Sequence, residues 1–235
     1  MKAKAPRNKT LELSPKEIAL YASKAVKLSQ KSNLTDVINR VIRQDSFKAL
    51  DLLPDGCIDL MIVDPPYNLT KNFGKSTFKE MDFDAYKKWL DKWLKKTVRL
   101  LKDNASIYIC ADWKTSICIP EAAGKYFILR NRISWEREKG RGAKDNWKNC
   151  LEDIWFFTKG KDYTFNIDAV KVQRPVIAPY RNEKGEPKDW QEKGKQRFRL
   201  THPSNIWTDI SIPFWSMPEL SLIHISEPTR RVVIS

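Results

Sequence analysis

The sequence predicts an α/β domain in which a mostly parallel sheet carries helices on both faces. Three observations carry that class. Strand-patterned segments alternate with helix-patterned ones along residues 34–158. The run Cys57–Val63 is apolar at all but one position, as in a parallel strand covered on both faces. It ends in Asp64-Pro65-Pro66-Tyr67, at the carboxyl end of a strand, where open α/β sheets gather their ligands.

The elements follow in order. Ser14-Pro15-Lys16-Glu17 has the form of a capping box with proline at the first helical position. It opens a helix expected to run to about Ser32, with Ile18, Tyr21, Ala22, Ala25 and Leu28 on one face. Val37–Ile42 reads as a strand, Asp45–Leu53 as a short helix and Pro54-Asp55-Gly56 as a turn. After the 57–63 strand, Asp84–Lys102 repeats apolar residues at Tyr86, Leu90, Trp93, Leu94, Val98 and Leu101, an amphipathic helix. Ala105–Ala111 is a strand, Trp113–Lys125 is helical, and Phe127–Trp135 and Ile154–Thr158 are further strands. Residues beyond 158 turn basic and lose periodicity. The expected organisation is a basic N-terminal extension with a helix (1–33), a partial catalytic core (34–158), a basic insertion or recognition segment (159–219) and a tail (220–235).

The chain has 235 residues, 41% hydrophobic and 31% charged, and 43 Lys and Arg against 29 Asp and Glu give a net charge of +14. A polyanion is the first partner that balance brings to mind. Cys57, Cys110, Cys118 and Cys150 are far apart, with no CxxC and no paired histidine. That usage points to reduced cytoplasmic thiols and no metal. No apolar run reaches membrane-spanning length and no hydrophobic segment follows MKAKAPRNK, so neither a membrane partner nor a secretory signal is expected.

The chemistry concentrates in residues 64–67. Two prolines fix φ and remove two backbone donors. The Asp64 carboxylate and the Pro65 carbonyl are left side by side as acceptors, on a turn stiffened further by Pro66. Together they can receive both hydrogens of an exocyclic amino group, while the Tyr67 ring lies over a planar base. The competing reading is a tight strand-to-loop turn with Asp64 as a cap.

IDLMIVDPPYNL resembles the catalytic motif of the amino-methyltransferases, which move a methyl group from S-adenosylmethionine to a base nitrogen. The longer stretch VIRQDSFKALDLLPDGCIDLMIVDPPYNL resembles the site-specific DNA methyltransferases whose catalytic motif precedes the cofactor loop. ISWEREKGRGAKDNWKNCLEDIWFFTKG and HPSNIWTDISIPFW continue the likeness, which covers roughly residues 34–219. It implies a partial Rossmann-like methyltransferase fold, S-adenosylmethionine as cofactor and double-stranded DNA as partner. DPPY rather than SPPY leans toward adenine N6 over cytosine N4. In that reading Asp64, Pro65, Pro66 and Tyr67 are catalytic, and Asp64 also borders the cofactor. The base is flipped out before attack, and no covalent intermediate is needed. Asp45 matches an acid near the cofactor's adenosine, although Gln44 replaces the usual glycine and a helix N-cap is the alternative. Asn68, Lys71 and Lys75 would lie near the flipped nucleotide, or form a solvated loop. Lys139, Arg141, Lys144 and Lys148 suit phosphates, or an exposed charged loop. A cognate restriction endonuclease and a homodimer complete the partners that the resemblance brings into view.

After Glu219 the likeness stops, and the expected DPFxGxG-like cofactor loop is not found. The chain alone is therefore expected to bind S-adenosylmethionine poorly and to have little or no activity. The rival readings are cytosine-N4 or RNA-adenine methylation, a non-catalytic DNA-binding remnant, and an unrelated α/β protein.

Overall fold

A computed structural model describes residues 13–73, 76–137, 144–176, 180–186, 188–194 and 196–208. The chain divides into two compact units, Met1–Tyr163 with Ile206–Ser235, and Thr164–Asn205.

In the larger unit, α1 (Pro15–Lys24) starts as its sequence dictates. Ser14 Oγ accepts from the Glu17 N–H at 3.3 Å, and the Glu17 carboxylate accepts from the Ser14 N–H at 2.8 Å. It stops at Lys24 rather than near residue 32, because Val26 is extended and bridges Ile42 in parallel. Ile18, Leu20 and Tyr21 are exposed. The strand expected over Val37–Ile42 does not form. Leu34–Val37 is a helical turn, α2, and Asn39 then takes a left-handed φ of 55°, which Asn tolerates and an extended strand excludes. Next comes α3 (Ser46–Leu52), where the sequence placed it.

A five-stranded sheet holds β1 (Ile58–Val63), β4 (Leu101–Ala111), β6 (Leu151–Thr158), β5 (Ile128–Glu136) and β10 (Ile206–Trp207), in that spatial order. The α/β class is as read. The sheet is mixed, with parallel pairs β1/β4 and β5/β10 and antiparallel pairs β4/β6 and β5/β6. The reversal falls between β5 and β6, which are joined by residues 137–150. Between β1 and β4 lie a hairpin, β2 (Lys71–Phe73) with β3 (Ser76–Phe78), and the helix α4 (Phe83–Thr97). α5 (Cys118–Ala123) follows β4 and is shorter than the helical stretch expected there.

One core joins these parts. Tyr86, Leu90, Trp93 and Leu94 of α4 pack with Leu50 of α3 and Ile119 and Ala122 of α5, over Ile58, Met61, Ile107, Ile109 and Phe157 of the strands. The register of β1 against β4 shifts between Ile58 and Leu60. Beyond that shift successive residues alternate about Met61, so Leu60 and Ile62 lie opposite the core, 36% and 60% exposed. The expectation that β1 is covered on both faces is thus not met among the described residues. Tyr108 and Phe156 stack at 4.7 Å and Tyr163 meets Phe156 edge-on, an aromatic patch alternating with the core positions.

Thr164–Asn205 forms an antiparallel sheet of β7 (Val172–Pro175), β9 (Gln196–Thr201) and β8 (Gln191–Lys193), where the sequence pattern indicated little regular structure. Trp190 organises it. The ring is 5% exposed, carries the Arg181 and Arg197 guanidinium groups at 5.0 and 5.7 Å, and donates from Nε1 to the Tyr180 carbonyl. A single tryptophan without periodic company is easily missed in a basic stretch.

Arg99 ties α3 to the start of the sheet. Its guanidinium donates to the Leu50 and Leu53 carbonyls at 2.6 and 2.9 Å and pairs with Asp55, while its own carbonyl accepts from Gly56. Arg99→Ala leaves those helix-end carbonyls without a charged donor. The expected cost is roughly 1.5–3 kcal/mol, measured as a lower urea midpoint at unchanged slope.

Candidate active site

Val63 pairs with Ile109 and Ala111 with Asp153, so the carboxyl ends of β1 and β4 and the start of β6 share one margin of the sheet. The turn 64–67 leaves from that margin, with Asp64 exposed, Pro65 buried, and Pro66 and Tyr67 half-buried.

Three contacts fix the turn. The Tyr86 hydroxyl, on the buried stripe of α4, donates to the Pro66 carbonyl at 2.7 Å. That carbonyl is the neighbour of the one the sequence assigns to the substrate, and Pro65 itself is buried. Asn68 takes a left-handed φ of 36°, and its side chain closes a two-bond clamp on Met81. Its amide donates to the Met81 carbonyl at 2.7 Å, and its Oδ1 accepts from the Met81 N–H at 2.9 Å. The Tyr67 hydroxyl donates to Glu152 Oε2 at 3.3 Å.

Glu152 brings a second carboxylate to the turn. Its Oε1 lies 3.5 Å from Arg137 Nε, and the Arg137 guanidinium rests on the Trp135 ring at 4.3 Å. Burial raises the Glu152 pKa, Arg137 opposes that shift, and the Asp64 charge adds to it. Burial, then the Asp64 and Glu152 charges, push the Tyr67 hydroxyl far above its usual range. Burial and the same two carboxylates push the Cys110 thiol up to about 12. The turn is therefore bordered by a phenol and a thiol that hold their protons, and by the Asp64 and Glu152 side chains. Such a set accepts protons and favours positive charge, and it contains no thiolate.

The other sequence-predicted residues fall as follows. Asn68 is 2% exposed with both ends of its amide committed to Met81, which corrects the expectation that it meets a nucleotide. Asp45 is the N-cap of α3, its carboxylate accepting from the Lys48 N–H at 3.1 Å, the alternative that the sequence left open. Lys71 is exposed on β2, and Lys144 and Lys148 are exposed between β5 and β6. Lys75, Lys139 and Arg141 lie outside the described residues. Among the described residues no group of His, Cys, Asp and Glu is arranged to hold a metal, and no helix is long and apolar enough to cross a membrane.

Tyr86, Glu152, Arg137 and Cys110 carry no site role in the sequence reading. Tyr86 is hidden in the apolar stripe of α4. The signal for Glu152 was an acid pair, Glu152-Asp153, opening an otherwise apolar strand. Asp153 of that pair faces the other way and binds Arg132 at 2.8 Å.

The N6/N4 DNA methylase family matches residues 58–227. The chain belongs to that family. It is 32% identical over 173 residues to the type II methyltransferase M.HpaI of Haemophilus parainfluenzae, covering 72% of this chain and 49% of that protein. It is 30% identical over 176 residues to the DNA adenine methyltransferase YhdJ of Escherichia coli K12, covering 71% and 56%. The chain thus spans about half the length of the curated relatives it matches. Among solved structures, the PvuII cytosine-N4-specific DNA methyltransferase aligns with 18% identity and a TM-score of 0.44, over 55% of this chain and 52% of that one.

Two predictions concern the clamps. Tyr86→Phe removes the donor to Pro66 and should cost about 1 kcal/mol, read from chemical denaturation. Glu152 behaves as a carboxyl whose pKa is raised on folding. Its protonated form favours the fold below the ordinary value of 4.5, and that advantage is lost as pH rises through the raised value. Glu152→Gln removes the loss, so the variant should gain stability relative to the parent as pH rises above the ordinary value of 4.5. A difference that does not change with pH would contradict this.

Proposed function

We propose that residues 64–67 form the target-base site of an S-adenosylmethionine-dependent DNA amino-methyltransferase acting on the N6 amino group of a flipped-out adenine. The observation that carries the reading is the clamped turn, with Asp64 presented at the sheet margin and Tyr67 anchored by Glu152. Family membership and likeness to a protein named as a DNA adenine methyltransferase support it.

The adenine amino nitrogen is a weak nucleophile because its lone pair is delocalised into the ring. Asp64 and the Pro65 carbonyl would each accept one N–H, holding the nitrogen so that its lone pair points away from the turn. The Tyr67 ring, its hydroxyl held by Glu152, would be a fixed plate for the base, and stacking of that kind is worth about 1–3 kcal/mol per base. S-adenosylmethionine, when bound, supplies an electron-poor methyl group on a positively charged sulfonium, and the paired carboxylates of Asp64 and Glu152 suit such a cation. As the N–CH3 bond forms and the S–CH3 bond breaks, leaving a neutral thioether, the nitrogen would become positive and then give one proton up to solvent. The Asp64 and Glu152 carboxylates stabilise that charge in place, a preorganised electrostatic contribution. The Cys110 thiol stays protonated, so direct transfer is the route that these groups favour. Relatives named type II methyltransferases favour a restriction-modification setting, with double-stranded DNA as the substrate.

The test uses methyl-labelled S-adenosylmethionine at saturating concentration, mixed-sequence duplex DNA or RNA, and this chain extended to the length of its relatives, with the product digested to nucleosides. Label in N6-methyladenine is expected, and Asp64→Ala should reduce it by about 100-fold or more. Label in N4-methylcytosine would replace adenine by cytosine. Label in RNA but not DNA would overturn the substrate class.

A further inference from the structure

Trp147 is 93% exposed, the highest value of any large hydrophobic residue described, while Trp113 is at 61%, Trp93 at 6% and Trp190 at 5%. A packed indole removes roughly 150–250 Å² from water, so a solvated one forgoes a large gain. Local bonds set the backbone around it. Its own N–H donates to Asn146 Oδ1 at 2.7 Å, and the Leu151 N–H to Asn149 Oδ1 at 3.4 Å. Lys144 and Lys148 flank it and are exposed.

Its place in the fold gives the exposure a meaning. Trp147 lies in the connection from β5 to β6, whose base is closed by the Arg137 N–H donating to the Cys150 carbonyl at 2.6 Å. Glu136 pairs with Leu151 next, then Trp135 with Glu152, the residue that holds Tyr67. The connection therefore rises from the same sheet margin as the 64–67 turn. An aromatic face between two lysines offers separate contacts to a base and to phosphates, and stacking accepts any base because every base has a π-face.

We propose that Trp147 is a base-stacking residue that engages an unpaired DNA base beside the nucleotide drawn into the site, with Lys144 and Lys148 on flanking phosphates. The inference rests on the reading of DNA as the substrate. Bases inside an intact duplex are covered by their neighbours. Withdrawal of one nucleotide bares the faces around the gap, and an indole laid against such a face would slow the return of the flipped base.

Fluorescence anisotropy with this chain tests it, using a labelled single-stranded oligonucleotide and the fully paired duplex of the same sequence. Trp147→Ala should weaken single-strand binding by about 5- to 100-fold and duplex binding far less. Trp147→Phe should keep most of the single-strand affinity, because the ring remains. Lys144→Ala with Lys148→Ala should weaken both forms alike and lower the salt dependence by up to about one unit per lysine. Equal single-strand affinity in Trp147→Ala and the parent would overturn the proposal. So would a change in the sedimentation of the DNA-free variant without a change in DNA binding, which would mark Trp147 as a protein contact. Failure of the parent chain to bind either form would instead remove the DNA reading, and this inference with it.

Discussion

The hydrogen bond from Tyr86 to the Pro66 carbonyl is the constraint on which the rest of the site depends. Proline cannot donate from its backbone, so a two-proline turn has few ways to anchor itself to the fold. Here the anchor comes from a helix side chain that is itself 1% exposed and stacked on Trp89 at 5.7 Å. The position of the turn is thereby set by the packing of α4 against β1 and β4. The Asn68 clamp then fixes where the chain goes after Tyr67, and the hydroxyl contact with Glu152 fixes the ring. In the proposed reading, Asp64 and the Pro65 carbonyl are the acceptors that would meet the substrate.

Charge is divided between the site and its surroundings. The chain as a whole carries +14, yet the groups gathered at the turn are carboxylates, with Arg137 the cation paired to one of them. In the proposed reaction that division is useful in both directions. A basic exterior attracts the phosphate backbone over a range set by salt. An acidic centre selects for the cationic cofactor and for the positive charge that develops on nitrogen. Exposed lysines such as Lys144 and Lys148 act at long range and need no fixed geometry, whereas Asp64 and Glu152 act at contact and must be held.

The parts of this arrangement that are local in sequence could be read from it. The capping box at Ser14, the α3 helix, the 57–63 strand and the stiff turn all announce themselves within a few residues, by residue type or by period. The parts that depend on distant partners could not. Tyr67 and Glu152 are 85 positions apart, and Tyr86 and Pro66 are 20 apart. Nothing in either local pattern points to the other. The same cause lies behind the corrections. Asn68 is a polar residue next to a motif, which looks like a substrate contact until Met81 is brought against it. The α1 helix has a start signal but no stop signal, because what ends it is the bridge between Val26 and Ile42.

The surroundings of Asp64 also bear on why one family spans two base positions. A site that supplied its own nucleophile would be matched to an electrophilic atom of one base. Here the thiol nearest the turn is held neutral by burial and by the same carboxylates, with its pKa pushed up to about 12. The phenol is neutral as well. With no thiolate or phenolate at the turn, the proposed reaction takes its nucleophile from the substrate, an amino nitrogen on a flat ring. Adenine and cytosine both carry one. In the proposed reading, two acceptors and a stacking plate would recognise that shared feature without reading the rest of the ring, and the choice between the bases would lie in contacts to the ring edges. On this geometry the turn sets the chemistry, and the walls around it set the base.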